Sequence, residues 1–184
     1  LQNPEPGFLE VKTSELVSQN LHKLGILHRK SIALTGIKGY LEGRAGPGPT
    51  VAIMGELDSL RVPDHPHADP ETGAAHACGR HAQIGMLLAV ARALSGQEIL
   101  EALSGRVVLV AVPAEEFIDV EYRYGLYKEG KLGLLSGKQE FLRLGEFDEI
   151  DLALMCHTTS TESDGLLSVG GTSTGHLVKY IQFE

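Results

Sequence analysis

Basic residues are scarce in this chain: 16 Lys and Arg stand against 24 Asp and Glu, for a formal net charge of −8. That balance excludes a face built to track phosphates, and no local Lys/Arg cluster restores one, so no nucleic-acid partner is expected. Long apolar runs are missing too. A membrane-crossing helix needs about 18 consecutive apolar residues or more, and none is present. The opening "LQNPEPGFLE" lacks the basic-then-apolar pattern of a secretory signal. Cysteine occurs only at Cys78 and Cys156, far apart in sequence. Such a chain does not need a disulfide, and the expectation is two reduced thiols in a cytoplasmic protein. What is present is 42% apolar and 22% charged residues over 184 positions, enough for one buried domain, or one domain and a fragment of another.

Along the chain, "NPEPGF" is rich in turn residues. Thr13 or Ser14 is placed to cap a helix carrying Val17, Leu21 and Leu24 on one face, with Gly25 near its end. "SIALTG" and "GYLEGR" read as short strands. "TVAIMGEL", "RVVLVAV" and "DLALMCH" are nearly all apolar, as strands buried on both faces should be. A proline-rich loop fills 61–75. After Cys78, the spacing of Ile84, Leu87, Leu88, Ala91 and Leu94 predicts a helix with a buried stripe. Mixed helix and loop follow over 118–144, and "HLVKYIQFE" reads as a final strand. Strands alternating with helices predict an α/β fold with a mixed, largely parallel sheet and helices on both faces.

In such sheets ligands sit beyond the carboxyl ends of the strands. Glu56 and Asp58 follow the first apolar strand, Glu115 and Glu116 the second, and His157 the third. Two adjacent carboxylates on one rim raise each other's pKa unless a cation sits between them. Such a pair can also divide labour, one holding a metal and the other taking a proton from water. Each residue alone has a bland alternative: a solvated Glu pair, a structural His157, a buried Cys78, and an Asp58 that caps a turn. Together, a thiol, an imidazole and several carboxylates make a mixed donor set suited to zinc or manganese.

"NPEPGF", "PTVAIMGELDSL", "GAAHACG", "AVPAEE" and "LALMCH" resemble the dinuclear-metal amidohydrolases, the metallopeptidase family of aminoacylases, auxin-conjugate hydrolases and glutamate carboxypeptidases. "HACG" followed by "PAEE" is the specific pairing. The resemblance implies an aminopeptidase/phosphorylase-like catalytic domain, a small-molecule amide substrate such as an N-acyl amino acid, and two divalent ions, Zn2+ or Mn2+. It implies Cys78 as the ligand bridging the ions, Glu115 as general base, and Glu116 and His157 as further ligands. It also implies that residues 1–174 are the front part of an incomplete catalytic domain. Residues 175–184 would enter a lid and dimerisation domain, and the full-length form would be a homodimer.

The family pattern reads Cys-Gly-His, whereas this chain has Cys78, Gly79 and Arg80. A guanidinium offers no lone pair to a metal. Either His81 takes the ligand role through a local shift, or Arg80 fills the site and its charge replaces one cation. The second possibility, with the shortened extent, opens an alternative function: an inactive homologue or fragment acting as a binding or assembly module. A third reading makes Cys78 a nucleophile with His76 or His81 as base, but leaves Glu115, Glu116 and His157 unexplained. His65 and His67 read as a solvent loop on a substrate-facing rim, and His176 as part of a linker. The 122–144 segment reads as an insertion shaping the pocket.

Overall fold

The computed structural model describes residues 2–158. Its elements are α1 (Val11–Lys23), β1 (Leu27–Ile32), β2 (Gly36–Glu42), β3 (Thr50–Glu56), β4 (Leu60–Arg61), β5 (Ala74–Ala75), α2 (Arg80–Leu94), α3 (Gln97–Ala102), β6 (Arg106–Val112), α4 (Val120–Lys128), α5 (Gly137–Arg143) and β7 (Leu152–Met155). Five strands form one mixed sheet in the order β1-β2-β6-β3-β7, while β4 and β5 pair separately within the proline-rich loop. β1 with β2, and β2 with β6, run antiparallel; β3 runs parallel to both β6 and β7.

β6 explains why helices cover both faces. Val107, Leu109 and Ala111 pack with Val17 and Leu21 of α1 and with Ile84, Leu87 and Ala91 of α2. The alternate residues Val108, Val110 and Val112 pack with Leu126 of α4, Phe141 of α5 and Phe8. A strand covered on both sides has no polar face, hence the unbroken apolar run. Parallel strands paired in register also end together. Glu56 lies opposite Val112, and Met54 opposite Met155, so the residues after β3, β6 and β7 share one rim.

Several sequence expectations shift. α1 begins before Thr13, and its free N–H groups are met by the preceding loop: Lys12 and Thr13 donate to the Glu5 carboxylate at 2.9 and 2.8 Å. Ser14 instead donates its hydroxyl to the Thr35 carbonyl at 2.6 Å. "SIALTG" is divided between two strands: Ser31 and Ile32 end β1, Gly36 begins β2, and Ala33 and Leu34 turn between them with positive φ. β7 is a strand, but Leu152, Leu154 and Met155 are 43–53% exposed. Among the described residues β7 pairs only with β3 and stands at the edge of the sheet. The "HLVKYIQFE" strand, His176 and the 175–184 segment lie outside the described residues.

Glu10 ties this core to the rim. Its fully buried carboxylate accepts from the Ala114 N–H at 2.7 Å and the Thr35 hydroxyl at 2.6 Å. Burial pushes its pKa up to about 7 despite the Thr35 hydrogen bond. A raised carboxyl means that the folded state holds the proton more tightly than the unfolded chain. Its charge therefore costs stability above pH 7, and the cost fades as pH falls towards 4.5. At about 1.4 kcal/mol per pKa unit, the full cost is on the order of 3 kcal/mol. Glu10→Gln is expected to raise the thermal midpoint at pH 8 and leave it nearly unchanged at pH 5, read by circular dichroism melts at both pH values.

Candidate functional site

The rim is built by three chain segments, two of them leaving the sheet. Beyond β3, the Leu57 N–H still donates to the Val112 carbonyl at 2.8 Å, so the strand pair carries Glu56 and Asp58 outward together. Beyond β6, Ala114 turns the chain with φ of 48°, held by the Glu10 contact, and presents Glu115 and Glu116. The third segment is the start of α2. Gly79 precedes it with φ of 95°, and a Cβ there would lie 2.1 Å from the Thr158 hydroxyl oxygen. Both the backbone conformation and the space call for glycine. That turn sends Arg80 into the carboxylates.

The Arg80 side chain is only 3% exposed. Its Nε donates to Glu56 at 2.9 Å and lies 3.5 Å from Asp58. Its Nη2 donates to Glu116 at 2.7 Å and to the Glu115 carboxylate. A second cation, Lys138 of α5, pairs with Glu56 and lies 3.7 Å from Glu115. Asp58 accepts from the Glu116 N–H at 3.0 Å and thereby fixes the Glu pair. Burial raises the Glu56 carboxyl, but Lys138 and Arg80 outweigh it and hold the group below the ordinary carboxylate range. For fully buried Asp58 the balance is reversed: burial raises it more than Arg80 lowers it.

Cys78 and His157 meet at the edge of this cluster, with Sγ 3.5 Å from Nε2. His157 Nδ1 lies 2.7 Å from the Thr158 carbonyl, which can only accept, so Nδ1 carries the proton and Nε2 is free to accept from the thiol. Burial pushes the Cys78 thiol up, with Arg80 opposing and Glu116 adding to the rise. A raised thiol is not an activated nucleophile. His76 and His81, the bases of the cysteine-nucleophile reading, pair with each other instead.

Cys78, Glu115, Glu116 and His157 are therefore brought together, and His81 is not. Its ring centroid lies 5.3 Å from that of His76, in a separate cavity of about 330 Å³ lined also by Asn3, Thr13, Leu57 and Ile84. Consecutive helical side chains diverge by about 100°, so one of the two neighbours faces the rim, and the carboxylates select the guanidinium. The local shift that would bring His81 into the ligand position is not adopted. Within the described residues, no three His, Cys, Asp or Glu side chains are arranged to hold an ion.

Lys138 escaped the sequence reading. It comes from the 122–144 segment, whose role there was unassigned beyond shaping the pocket. A Cβ on neighbouring Gly137 would stand 1.7 Å from the Pro113 carbonyl oxygen, so α5 can start against the end of β6 only with glycine there. This close approach carries Lys138 to the rim. The same segment supplies Leu132 and Phe141 to the core.

Comparison with known proteins agrees with this architecture. Over 162 residues the chain is 35% identical to IAA-amino acid hydrolase ILR1-like 5 of Arabidopsis thaliana, covering 78% of this chain and 36% of that protein. It is 30% identical over 171 residues to thermostable carboxypeptidase 2 of Saccharolobus solfataricus, covering 91% and 39%. Its fold matches the crystal structure of a dinuclear metal binding peptidase of Bacillus subtilis with a TM-score of 0.63 and 24% identity, over 83% of this chain and 38% of that one. The chain thus spans less than two fifths of the length of each of these proteins. Residues 52–172, from the middle of β3 past the rim histidine, match peptidase family M20/M25/M40, and the chain belongs to that family of hydrolases.

Proposed function

We propose that the protein containing this chain cleaves the amide bond of an N-acyl amino acid or a small peptide-like substrate, with Glu115 exchanging the proton between water and the leaving amine. The observation that carries this reading is the convergence of Glu56, Asp58, Glu115 and Glu116 with Cys78 and His157 at the carboxyl ends of β3, β6 and β7. The amino acid conjugate hydrolase among its relatives supports the substrate class. The unpaired Cys78 and Cys156 support a cytoplasmic setting, and homodimer formation through a further domain belongs to the same proposal. No helix of the described residues is long and apolar enough to cross a membrane.

In this family two divalent ions, zinc or manganese, would polarise the carbonyl and acidify water. The donor types on the rim suit either metal. Their arrangement does not: the Arg80 guanidinium lies between the carboxylates, and the Cys78 thiol is taken up by contacts with His157 and Glu116. The steps proposed here accordingly belong to the chain's own groups. Glu115 is one-third exposed, on the open side of the cluster, where it can take a proton from water. Lys138, also about one-third exposed, can receive a carbonyl or carboxylate oxygen of the substrate.

The test is hydrolysis of a panel of N-acyl amino acids by the whole protein. Glu115→Gln is expected to lower kcat by on the order of 10²-fold or more while leaving substrate binding in place. Activity unchanged in Glu115→Gln would reject the role given to Glu115. The ion pairs that tie Glu115 and Glu116 to Arg80 favour a second reading, a module that binds such amides without cleaving them. Substrate binding by calorimetry with no turnover across the panel would select it.

A further inference from the structure

Four carboxylates on one rim are a large unfavourable charge unless cations share the space. Among the described residues, the side-chain cations placed between them are Arg80 and Lys138. We propose that Arg80 and Lys138 are built-in counter-ions that occupy the place of the family's two metal ions, so that this centre is assembled without metal and keeps divalent cations out. The inference rests on reading this rim as the hydrolase site, but concerns how its charge is supplied.

Three features of the geometry carry it. The guanidinium is held at the centre rather than draped across the surface: it is 3% exposed, and its Nε and Nη2 contact Glu56, Glu115 and Glu116. It keeps its proton at any pH a folded protein meets, and it cannot ligate. Its backbone is fixed too, because Gly79 accepts the left-handed turn and α2 starts at Arg80 itself. An ion entering between Glu116 and Asp58 would have to displace a charge anchored by the helix start. The remaining soft donors lie within the same contacts, Cys78 Sγ standing 3.5 Å from His157 Nε2 and hydrogen-bonded to Glu116. Lys138 completes the compensation at the other oxygen of Glu56, delivered by the contact of Gly137 with the end of β6. Two atoms in this tight cluster make no hydrogen bond, Arg80 Nη1 and Asp58 Oδ1, although the latter stays 3.5 Å from Arg80 Nε. The guanidinium therefore fills the space without using every donor, as expected of a group standing where another cation would satisfy the same carboxylates.

The proposal is tested by metal content and by thermal melts of the whole protein with zinc, manganese or a chelator. The parent is expected to hold no ion that Cys78→Ser removes, and to melt at the same temperature in all three conditions. Arg80→His returns an imidazole to the position. It is expected to gain about one zinc per chain, lost again in the Arg80→His, Cys78→Ser double variant, with a melting temperature that rises on adding zinc. A parent that binds two ions per chain, with binding abolished by Cys78→Ser, would overturn the inference. So would an Arg80→His protein that folds and takes up no zinc, since something other than the guanidinium would then exclude the ion. Should Arg80→His fail to fold with or without zinc, the parent melts and metal content decide alone. Hydrolysis by a parent free of metal leaves both proposals standing. Hydrolysis that needs metal sinks this one only, and a metal-free parent without hydrolysis sinks only the catalytic reading.

Discussion

Arg80→Met is expected to lower the stability of the chain by about 3–5 kcal/mol at neutral pH, the usual cost of removing one partner from a buried ion cluster. Methionine keeps most of the aliphatic volume, so the loss reports missing charge rather than a cavity. Glu56 and Asp58 are 2% and 0% exposed. Without the guanidinium, Glu56 keeps Lys138, and Asp58 keeps the Glu116 N–H. Acidification gives the signature. In the parent, Glu56 is held below its ordinary range, so its contribution is present above that range and is lost as pH falls through its folded pKa. In the variant, burial is opposed by one cation fewer, and both carboxyls bind protons more tightly in the folded state. Between pH 7.5 and pH 5, above the ordinary Glu value of 4.5, the parent keeps Glu56's share. Asp58, already raised by burial in the parent, is raised further in the variant, which therefore gains more from acidification. Denaturant titrations at pH 7.5 and pH 5 should show the gap narrowing on the acid side. A gap that is small at pH 7.5, or that widens at pH 5, would mean that Arg80 does not neutralise the cluster.

The acidic part of this site could be read from the sequence for a simple reason. β3 and β6 are apolar throughout, so the first charged residues after each run mark where the strand leaves the core. Glu56, Asp58, Glu115 and Glu116 are those residues. The face that each β6 side chain takes could not be read, because Val108 and Leu109 are equally buried on opposite sides and composition does not separate them. The β1–β2 turn was hidden because Ser31, Ala33 and Leu34 take positive φ where glycine would have announced it. Lys138 was hidden by distance: its arrival depends on a close approach between residues 137 and 113, which leaves no local pattern. Arg80 was visible as a departure from the Cys-Gly-His pattern. Its four carboxylate neighbours became evident only when two strand ends and a helix start met.

The second large effect is expected at Arg123, which sequence periodicity gave no reason to single out. Its side chain is 0% exposed, yet it pairs with no carboxylate at ion-pair distance among the described residues. It donates instead to three main-chain carbonyls, of Ala114 at 3.3 Å, Leu135 at 3.0 Å and Glu116. The rings of Phe8 and Phe117 lie 5.4 and 5.9 Å from its guanidinium carbon. Burial lowers its pKa, while the fields of Asp58 and Glu10 act to restore it. A planar fork with five donors can join these segments, and a single ammonium cannot. Arg123 thus binds the turn that presents Glu115 and Glu116 to the loop leading into α5, and so to Lys138. Arg123→Leu removes three hydrogen bonds to a charged donor at roughly 1 kcal/mol or more each. The Ala114 and Glu116 carbonyls keep the Gly137 and Ile118 N–H groups at 3.2 and 3.0 Å, while the half-buried Leu135 carbonyl loses its guanidinium donor, and the expected total cost is about 3 kcal/mol. Arg123→Lys should recover only a minor part of that. Hydrogen exchange locates the damage: amides of 114–117 and 135–138 should lose protection together, while those of β1 and β2 change little. Faster exchange confined to α4 would mean that Arg123 stabilises its own helix and not the rim.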